Sequence, residues 1–168
     1  MGDDDGFEDW YRYNRPRLAR SLIVASGGNV DAAVDSTDEA FVRALERWPR
    51  VSRMDSPAAW TYRTALNVLR RRFRRRASEV SAVRALLSAD QQGNRGHEST
   101  LDRLVVWEAV EELGERERTA MALRYVGGLS EAEVGTAMGL TEGGASALLS
   151  RARKALRRTL SDEEVRVV

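Results

Sequence analysis

Cysteine is absent from this 168-residue chain, and histidine occurs once, at His97. Without thiols the chain has no disulfides, no thiolate metal site and no cysteine nucleophile. A lone histidine, placed in a stretch of low apolar content, does not supply the paired ligands or the nucleophile–base pair that metal or covalent catalysis needs. No apolar run approaches the ~20 residues that cross a bilayer. The acidic N-terminus has no apolar core of the signal-peptide kind. Strand-type alternation is negligible. The expectation is therefore a soluble, cytoplasmic, all-α protein that is not an enzyme, has no cofactor and no metal site, and does not insert into a membrane.

Net charge of one sign is also missing. The formal balance is +1, although 32% of residues are charged. What matters is how that charge is distributed. Acidic residues gather at Asp3-Asp4-Asp5, across 31–39 and across 108–117. Basic residues gather at Arg70-Arg71-Arg72, Arg74-Arg75-Arg76 and across 151–158. Segregation of this kind suits an acidic or mixed face for a protein partner and basic faces for phosphates.

Hydrophobic residues make up 42% of the chain, enough for one domain or two small ones. Residues 7–26 carry Phe7, Trp10, Tyr11, Leu18, Leu22 and Ile23 at roughly helical spacing, with Pro16 expected to start or kink a helix. Gly27-Gly28-Asn29 breaks it. Val30, Val34, Thr37, Phe41, Leu45 and Trp48 then form a stripe at three- and four-residue steps, and Asp35, Asp38, Glu39, Arg43 and Glu46 lie opposite. Pro49 is expected to end that helix and residues 50–55 to connect onward. Ser56-Pro57 is a cap followed by proline at the first helical position. Tyr62, Leu66, Leu69 and Phe73 continue the next helix, whose last two turns hold six arginines. Residues 77–100 change character and read as a linker: a weak helical piece at Val80, Val83, Leu86 and Leu87 is followed by residues 88–96 with no apolar period. Residues 101–113 and 115–126 read as two further amphipathic helices. Trp48 belongs to the predicted core, and Trp60 and Trp107 read as packing residues.

The most specific signal follows. Ser130 with Glu133 three residues on is a capping box. Val134, Ala137 and Met138 turn inward, Gly139 permits a tight turn, and Thr141 caps a second helix that runs through Leu148 and Leu149 to Arg151, Arg153 and Lys154. Helix, glycine turn and a helix with a basic end is the arrangement that places a helix in a DNA major groove.

In this order the residues resemble a bacterial RNA polymerase sigma factor of the small extracytoplasmic-function group. The C-terminal resemblance rests on Glu111-Glu112-Leu113-Gly114-Glu115-Arg116-Glu117-Arg118, Leu123-Arg124-Tyr125, residues 128–143 and Ser150-Arg151-Ala152-Arg153-Lys154-Ala155-Leu156. The N-terminal one rests on residues 35–44, Trp48, Pro57, Trp60, Tyr62-Arg63, Ala65 and Asn67. A helix-turn-helix alone is shared by many regulators; both halves in this order are far more specific. The resemblance implies two small helical domains joined by a flexible linker: 1–76 for core binding and minus-ten recognition and melting, 77–100 as linker, 101–160 for minus-thirty-five recognition, and 161–168 as a tail.

Site residues carry over position by position. Asp35, Asp38, Glu39 and Arg43 match the surface that grips the clamp helices of the polymerase's largest subunit. Arg63, Asn67, Arg70, Arg71 and Arg74 match the minus-ten surface, with residues 50–55 as the loop that captures an unstacked base. Thr141, Glu142, Gly143, Ser146, Arg151, Arg153 and Lys154 match the minus-thirty-five surface. Implied partners are RNA polymerase core, including the flap of its second-largest subunit, promoter DNA, and in many family members an anti-sigma factor. The chain departs from the family pattern where Ser146 and Leu148 replace common basic residues and where Gly143-Gly144 open the recognition helix. Ser36-Thr37 also replaces a usual leucine-valine pair. The alternatives are an ordinary helix-turn-helix regulator and a degenerate sigma-like interaction protein.

Overall fold

A computed structural model describes the backbone of residues 4–84 and 107–166 and the side chains of residues 6–79 and 107–161. Helix α1 spans Asp4–Ala25, α2 Val30–Glu46, α3 Trp48–Val51 and α4 Pro57–Arg84. Residues 107–111 are helical. Helix α5, Glu115–Met121, passes into a π-helical turn at Ala122–Val126. Helices α6, Glu131–Met138, and α7, Glu142–Arg166, follow. No strand occurs among the described residues, and no helix there is long and apolar enough to cross a membrane.

Local chemistry sets most of these boundaries. Gly27 and Gly28 have φ of 67° and 88°, backbone that favours glycine, and they end α1. The Asn29 side chain accepts from Ala32 N at 3.0 Å and starts α2. Ser56 caps α4 by accepting from Ala59 N at 3.0 Å. Pro16 does not start a helix, and Pro49 does not end α2. Pro16 sits inside α1, which packs on α2 and on the π-turn. Pro49 lies in the first turn of the short α3 instead of ending α2, a position where its missing N–H costs nothing. Helix α4 also runs through residues 77–84. The expected linker at 85–100 and the start of the helix at 101–106 lie outside the described residues.

The stripe expected on α2 is right at Thr37 and Phe41 and is corrected elsewhere. Val30 and Leu45 are 42% and 48% exposed, while the buried face consists of Ala33, Ser36, Thr37, Ala40, Phe41 and Ala44. Small side chains let α1 and α4 approach α2 closely, which turns the helix so that its longer aliphatics sit at the margin. On α4 the expected stripe is right: Tyr62, Leu66 and Leu69 are buried and Phe73 packs against the core. Trp48 is buried too, edge-on to Phe7 and against Trp10.

The two helical groups are not held apart. A single cluster of buried apolar residues runs from Leu18, Leu22, Phe41, Tyr62 and Leu66 in the first group to Leu123, Leu129, Val134 and Leu149 in the second. Helix α6 lies on α4, and α5 with the π-turn lies on α1.

Candidate nucleic-acid and protein interfaces

The helix-turn-helix is built as its residues dictate. Ser130 Oγ accepts from Glu133 N at 3.2 Å, and the Glu133 carboxylate accepts from Ser130 N at 2.8 Å, closing the capping box. Gly139 takes a left-handed φ of 69°. Thr141 Oγ1 accepts from Gly144 N at 3.1 Å and starts α7. Ala145, Leu148, Leu149 and Ala152 are buried against α5 and α6, so Leu148 is there for packing. Thr141, Glu142, Gly143, Ala147, Ser150, Arg151 and Lys154 are exposed along the outer edge, with Ser146 half-buried beside them. Arg153 turns away from that edge. It donates to the Tyr125 hydroxyl at 3.2 Å and lies 3.7 Å from Glu131. The Tyr125 hydrogen bond holds its guanidinium more firmly protonated than usual. The face open to a duplex therefore carries only the acidic Glu142 near the helix N-terminus and becomes basic at Arg151 and Lys154, about two and a half to three turns on.

On α4, Asn67, Arg70 and Arg74 follow one another at helical steps and line one wall of a cleft of about 610 Å³. Ala25, Leu66, Leu69 and Phe73 complete that side, and Glu115, Arg118 and Thr119 of the second group form the other. Arg63 is exposed one turn earlier on the same side of the helix. The structure does not bring Arg71 into this row. Arg71 and Arg72 lean toward α2.

There they meet the acidic face predicted for a protein partner. Arg72 Nη1 lies 3.0 Å from Asp35 Oδ2, and its Nη2 lies 3.7 Å from Glu39 Oε2. Arg71 Nη2 lies 2.9 Å from Glu39 Oε1, and Arg43 joins Glu39 from one turn along α2. Arg15 of α1 pairs with Asp38 at 2.8 Å. Asp35, Asp38, Glu39 and Arg43 do share one rim, but each carboxylate already carries an arginine of this chain.

The contact between the two groups is of another kind. Tyr62, 1% exposed, donates from its hydroxyl to the Gly127 carbonyl at 3.3 Å. Burial pushes its pKa up from 10.0 to about 12, with the Ser21 hydrogen bond acting the other way. The π-turn closes through Gly127 N to the Ala122 carbonyl at 2.9 Å. A Cβ on Gly127 would lie 2.6 Å from the Leu123 carbonyl oxygen, 2.8 Å from Tyr62 Cε1 and 3.0 Å from Ser21 Oγ, so glycine is required by close approach. Ser56 Oγ donates to Glu133 Oε1 at 2.7 Å, linking the cap of α4 to the cap of α6. Partial burial pushes the Glu133 carboxyl up, but the hydrogen bonds from Ser56 and Ser130 outweigh it and hold its pKa below 4.5. Arg118 Nε donates to the Ala25 carbonyl at 3.4 Å, across the same boundary. Sequence patterning assigned Tyr62 to a core stripe but carried no sign that the stripe also faces the second group. Arg118 stood in the C-terminal resemblance, but nothing in the sequence pointed to its contact with α1.

Two family models match the chain: Sigma-70 region 2 over residues 10–79 and Sigma-70, region 4 over residues 103–156. The chain belongs to the extracytoplasmic-function sigma factors of bacterial RNA polymerase. This sigma factor is 27% identical to the ECF RNA polymerase sigma factor SigW of Bacillus subtilis over 173 residues, covering 96% of this chain and 92% of that one. It is 28% identical to the ECF RNA polymerase sigma factor BldN of Streptomyces coelicolor over 167 residues, again 96% of this chain but 63% of BldN. In fold it is similar to the sigma factor RpoE of Bartonella quintana in complex with the anti-sigma factor NepR, with a TM-score of 0.75, 21% identity, and coverage of 94% of this chain and 98% of that one. CnrH in complex with the cytosolic domain of CnrY gives 0.63 at 22% identity, covering 96% and 91%. As a member of this family the sigma factor serves transcription initiation, with RNA polymerase core and promoter DNA as partners.

Proposed function

We propose that this sigma factor docks on polymerase core through the α2 rim of Asp35, Asp38, Glu39 and Arg43, with its C-terminal domain reaching the flap. Arg63, Asn67, Arg70 and Arg74 on α4 then meet the minus-ten element, where phosphate contacts give register and make binding salt-dependent. Arg71 joins them once released from Glu39. The exposed edge of α7, Thr141, Glu142, Gly143, Ser146, Arg151 and Lys154, meets the minus-thirty-five element, with Arg153 at its margin. Between residues 142 and 150 that helix has no arginine or lysine, so recognition there leans on backbone contacts and DNA shape more than on bidentate base readout. The sigma factor acts in the cytoplasm and contributes specificity and melting, while the polymerase supplies the chemistry.

The observation that carries this reading is the pair of DNA-competent faces on separate helical groups, the α4 row and the α7 edge. The two promoter elements lie about 25 base pairs apart, roughly 85 Å at about 3.4 Å per base pair. With α6 seated on α4 the chain cannot reach both, so the closed arrangement is the resting form and promoter engagement requires it to open. An anti-sigma factor that clasps both groups would hold that resting form; one fold neighbour above is a sigma factor in complex with an anti-sigma factor.

The test is run-off transcription with purified bacterial core polymerase, this protein and its own upstream region. A discrete transcript that requires the protein is expected, and Asp38→Arg with Glu39→Arg removes both the transcript and co-elution with core. Co-elution without a transcript favours the interaction-protein reading, for which the weakly charged start of α7 speaks. Neither transcript nor co-elution overturns the proposal in favour of an ordinary DNA-binding regulator.

A further inference from the structure

Two sets of side chains assigned above to different partners are, in this structure, bound to each other. Asp35 and Glu39 belong to the rim offered to polymerase. Arg71 and Arg72 belong to the basic end of α4 offered to DNA. They meet as Arg72–Asp35 at 3.0 Å, Arg71–Glu39 at 2.9 Å and Arg72–Glu39 at 3.7 Å. Arg75, Arg76, Asp31 and Glu79 surround the same shallow depression, and Glu79 in turn takes Arg75 at 3.0 Å. The pairs lie at the surface: Asp35 is 59% exposed, Arg71 61% and Arg72 41%, with Glu39 half-buried at 28%. Pairs of this kind are individually weak and exchange readily. A partner with a better-placed guanidinium or phosphate can displace either side.

We infer that this seam is a mutual mask that couples the two binding events. In the free chain Arg71 and Arg72 occupy the carboxylates that polymerase arginines require, and those carboxylates neutralise the arginines that promoter phosphates require. Docking of core on Asp35 and Glu39 releases Arg71 and Arg72 toward DNA. Phosphate capture of the arginines likewise bares the carboxylates for core. By linkage the two enhancements are equal. Two to three exposed pairs set the scale at about three- to tenfold in each affinity. Arg43 does not take part in the exchange, because it reaches Glu39 from α2 itself and moves with it. The Arg15–Asp38 pair lies outside the exchange too, since Arg15 is on α1. The inference rests on the polymerase and promoter assignments made above and adds the connection between them.

The experiment uses the full chain and a fluorescent mixed-sequence 30-base-pair duplex, titrated by anisotropy over a series of salt concentrations. Asp35→Asn with Glu39→Gln is expected to bind duplex about three- to tenfold more tightly than the unaltered chain. Its log–log salt slope should steepen by about one to two, since each added phosphate contact contributes about 0.9. Asp9→Asn with Glu46→Gln changes net charge equally at exposed positions away from the seam, and is expected to gain clearly less. Adding Arg71→Ala and Arg72→Ala to the Asp35→Asn/Glu39→Gln chain should abolish the gain. On the other side, Arg71→Ala with Arg72→Ala should raise affinity for purified core about threefold or more while lowering affinity for duplex.

Equal duplex affinity and slope for the seam and control variants overturn the inference. So does an arginine variant that binds core no more tightly than the unaltered chain. If core binds the unaltered chain but the gains are missing, the mask alone fails. If no version of the chain binds core, the sigma-factor assignment fails and the mask with it. Circular dichroism of each variant separates these outcomes from unfolding: a seam variant that has lost helix is replaced by the corresponding single substitution, Glu39→Gln, read against Glu46→Gln.

Discussion

Helix α4 is held on two sides by opposite means. Toward α6 and the π-turn its first half is sealed in a dry interface, with Tyr62 and Leu66 at 1% and 2% exposure facing Leu129 and Val134 at 3% and 0%. Toward the rim of α2 its second half is held by guanidiniums and carboxylates at the surface, of which Glu39 alone is half-buried. Burial of large apolar side chains is strong, insensitive to salt and slow to rearrange. Exposed ion pairs are weak, screened and quick to exchange. One helix thus joins a boundary that a large partner must force open to a boundary that a modest charge redistribution can reset. The first sets whether the chain is closed; the second sets which surfaces are available while it is closed.

The comparison breaks most severely at Tyr62. Tyr62→Ala removes a fully buried ring and its hydrogen bond to the Gly127 carbonyl, and should cost about 3–5 kcal/mol in urea unfolding. A loss below about 1 kcal/mol would mean that the closed interface is not formed in solution. Tyr62→Phe keeps the ring and should cost about 1 kcal/mol. It also isolates the hydroxyl. Because burial raises the Tyr62 pKa from 10.0 to about 12, its contribution is fully present below pH 10 and lost as pH rises through 12. The unaltered chain should lose stability over that window more steeply than Tyr62→Phe.

Gly127→Ala attacks the same interface from the other side. Its Cβ has nowhere to go between the Leu123 carbonyl, Tyr62 and Ser21, so overpacking of about 1–3 kcal/mol is expected. Combined with Tyr62→Ala the cost should be less than the sum, since the two residues touch. Full additivity, measured by denaturant unfolding of the double variant, would deny that they meet across the boundary.

These two residues also mark how far the sequence could be read. Devices that act within a few residues were legible: the capping box at Ser130 and Glu133, the left-handed Gly139, the Thr141 cap and the Ser56-Pro57 start are all as expected. So was the buried stripe of α4, because a 3.6-residue period registers burial whatever covers it. What covers it was not legible. Tyr62 and Leu66 have the same pattern whether they face their own domain or another one, and Gly127 looks like any loop glycine. On α2 the period was right at Thr37 and Phe41 but misled by one position at Val34 and Leu45, since alanine and serine weigh little in an apolar stripe although Ala33, Ser36, Ala40 and Ala44 are buried there. The site residues were legible as classes of charge. Their pairing across 32 to 37 residues of sequence was not, because a salt bridge between helices depends on where the helices lie.

The Ser56–Glu133 bridge lies between the two regimes, being polar like the rim yet placed at the closed boundary. Ser56→Ala loses both the α4 cap and the donor to Glu133, for about 0.5–2 kcal/mol. Glu133 has a depressed pKa in the folded chain, so its contribution is present above 4.5 and lost as pH falls through the folded value. The difference in stability between Ser56→Ala and the unaltered chain should therefore shrink as pH is lowered below 4.5. A difference that stays constant with pH would assign the whole effect to the helix cap.

The smallest effect belongs to the charged rim, and its smallness is the point. Arg72→Ala removes contacts to Asp35 and Glu39 that are mostly exposed, so unfolding stability should change by no more than about 0.5 kcal/mol in low salt. At 1 M salt, where the Debye length is about 3 Å, even that change should vanish. The cost of Tyr62→Ala should be the same in both conditions. If instead Arg72→Ala costs several kcal/mol at high salt, the guanidinium is buying packing through its apolar stem, and the rim is part of the rigid core. Such a rim would resist exchange with polymerase or DNA. A negligible, salt-sensitive cost is what a surface must show if its arginines are held in place without being committed there.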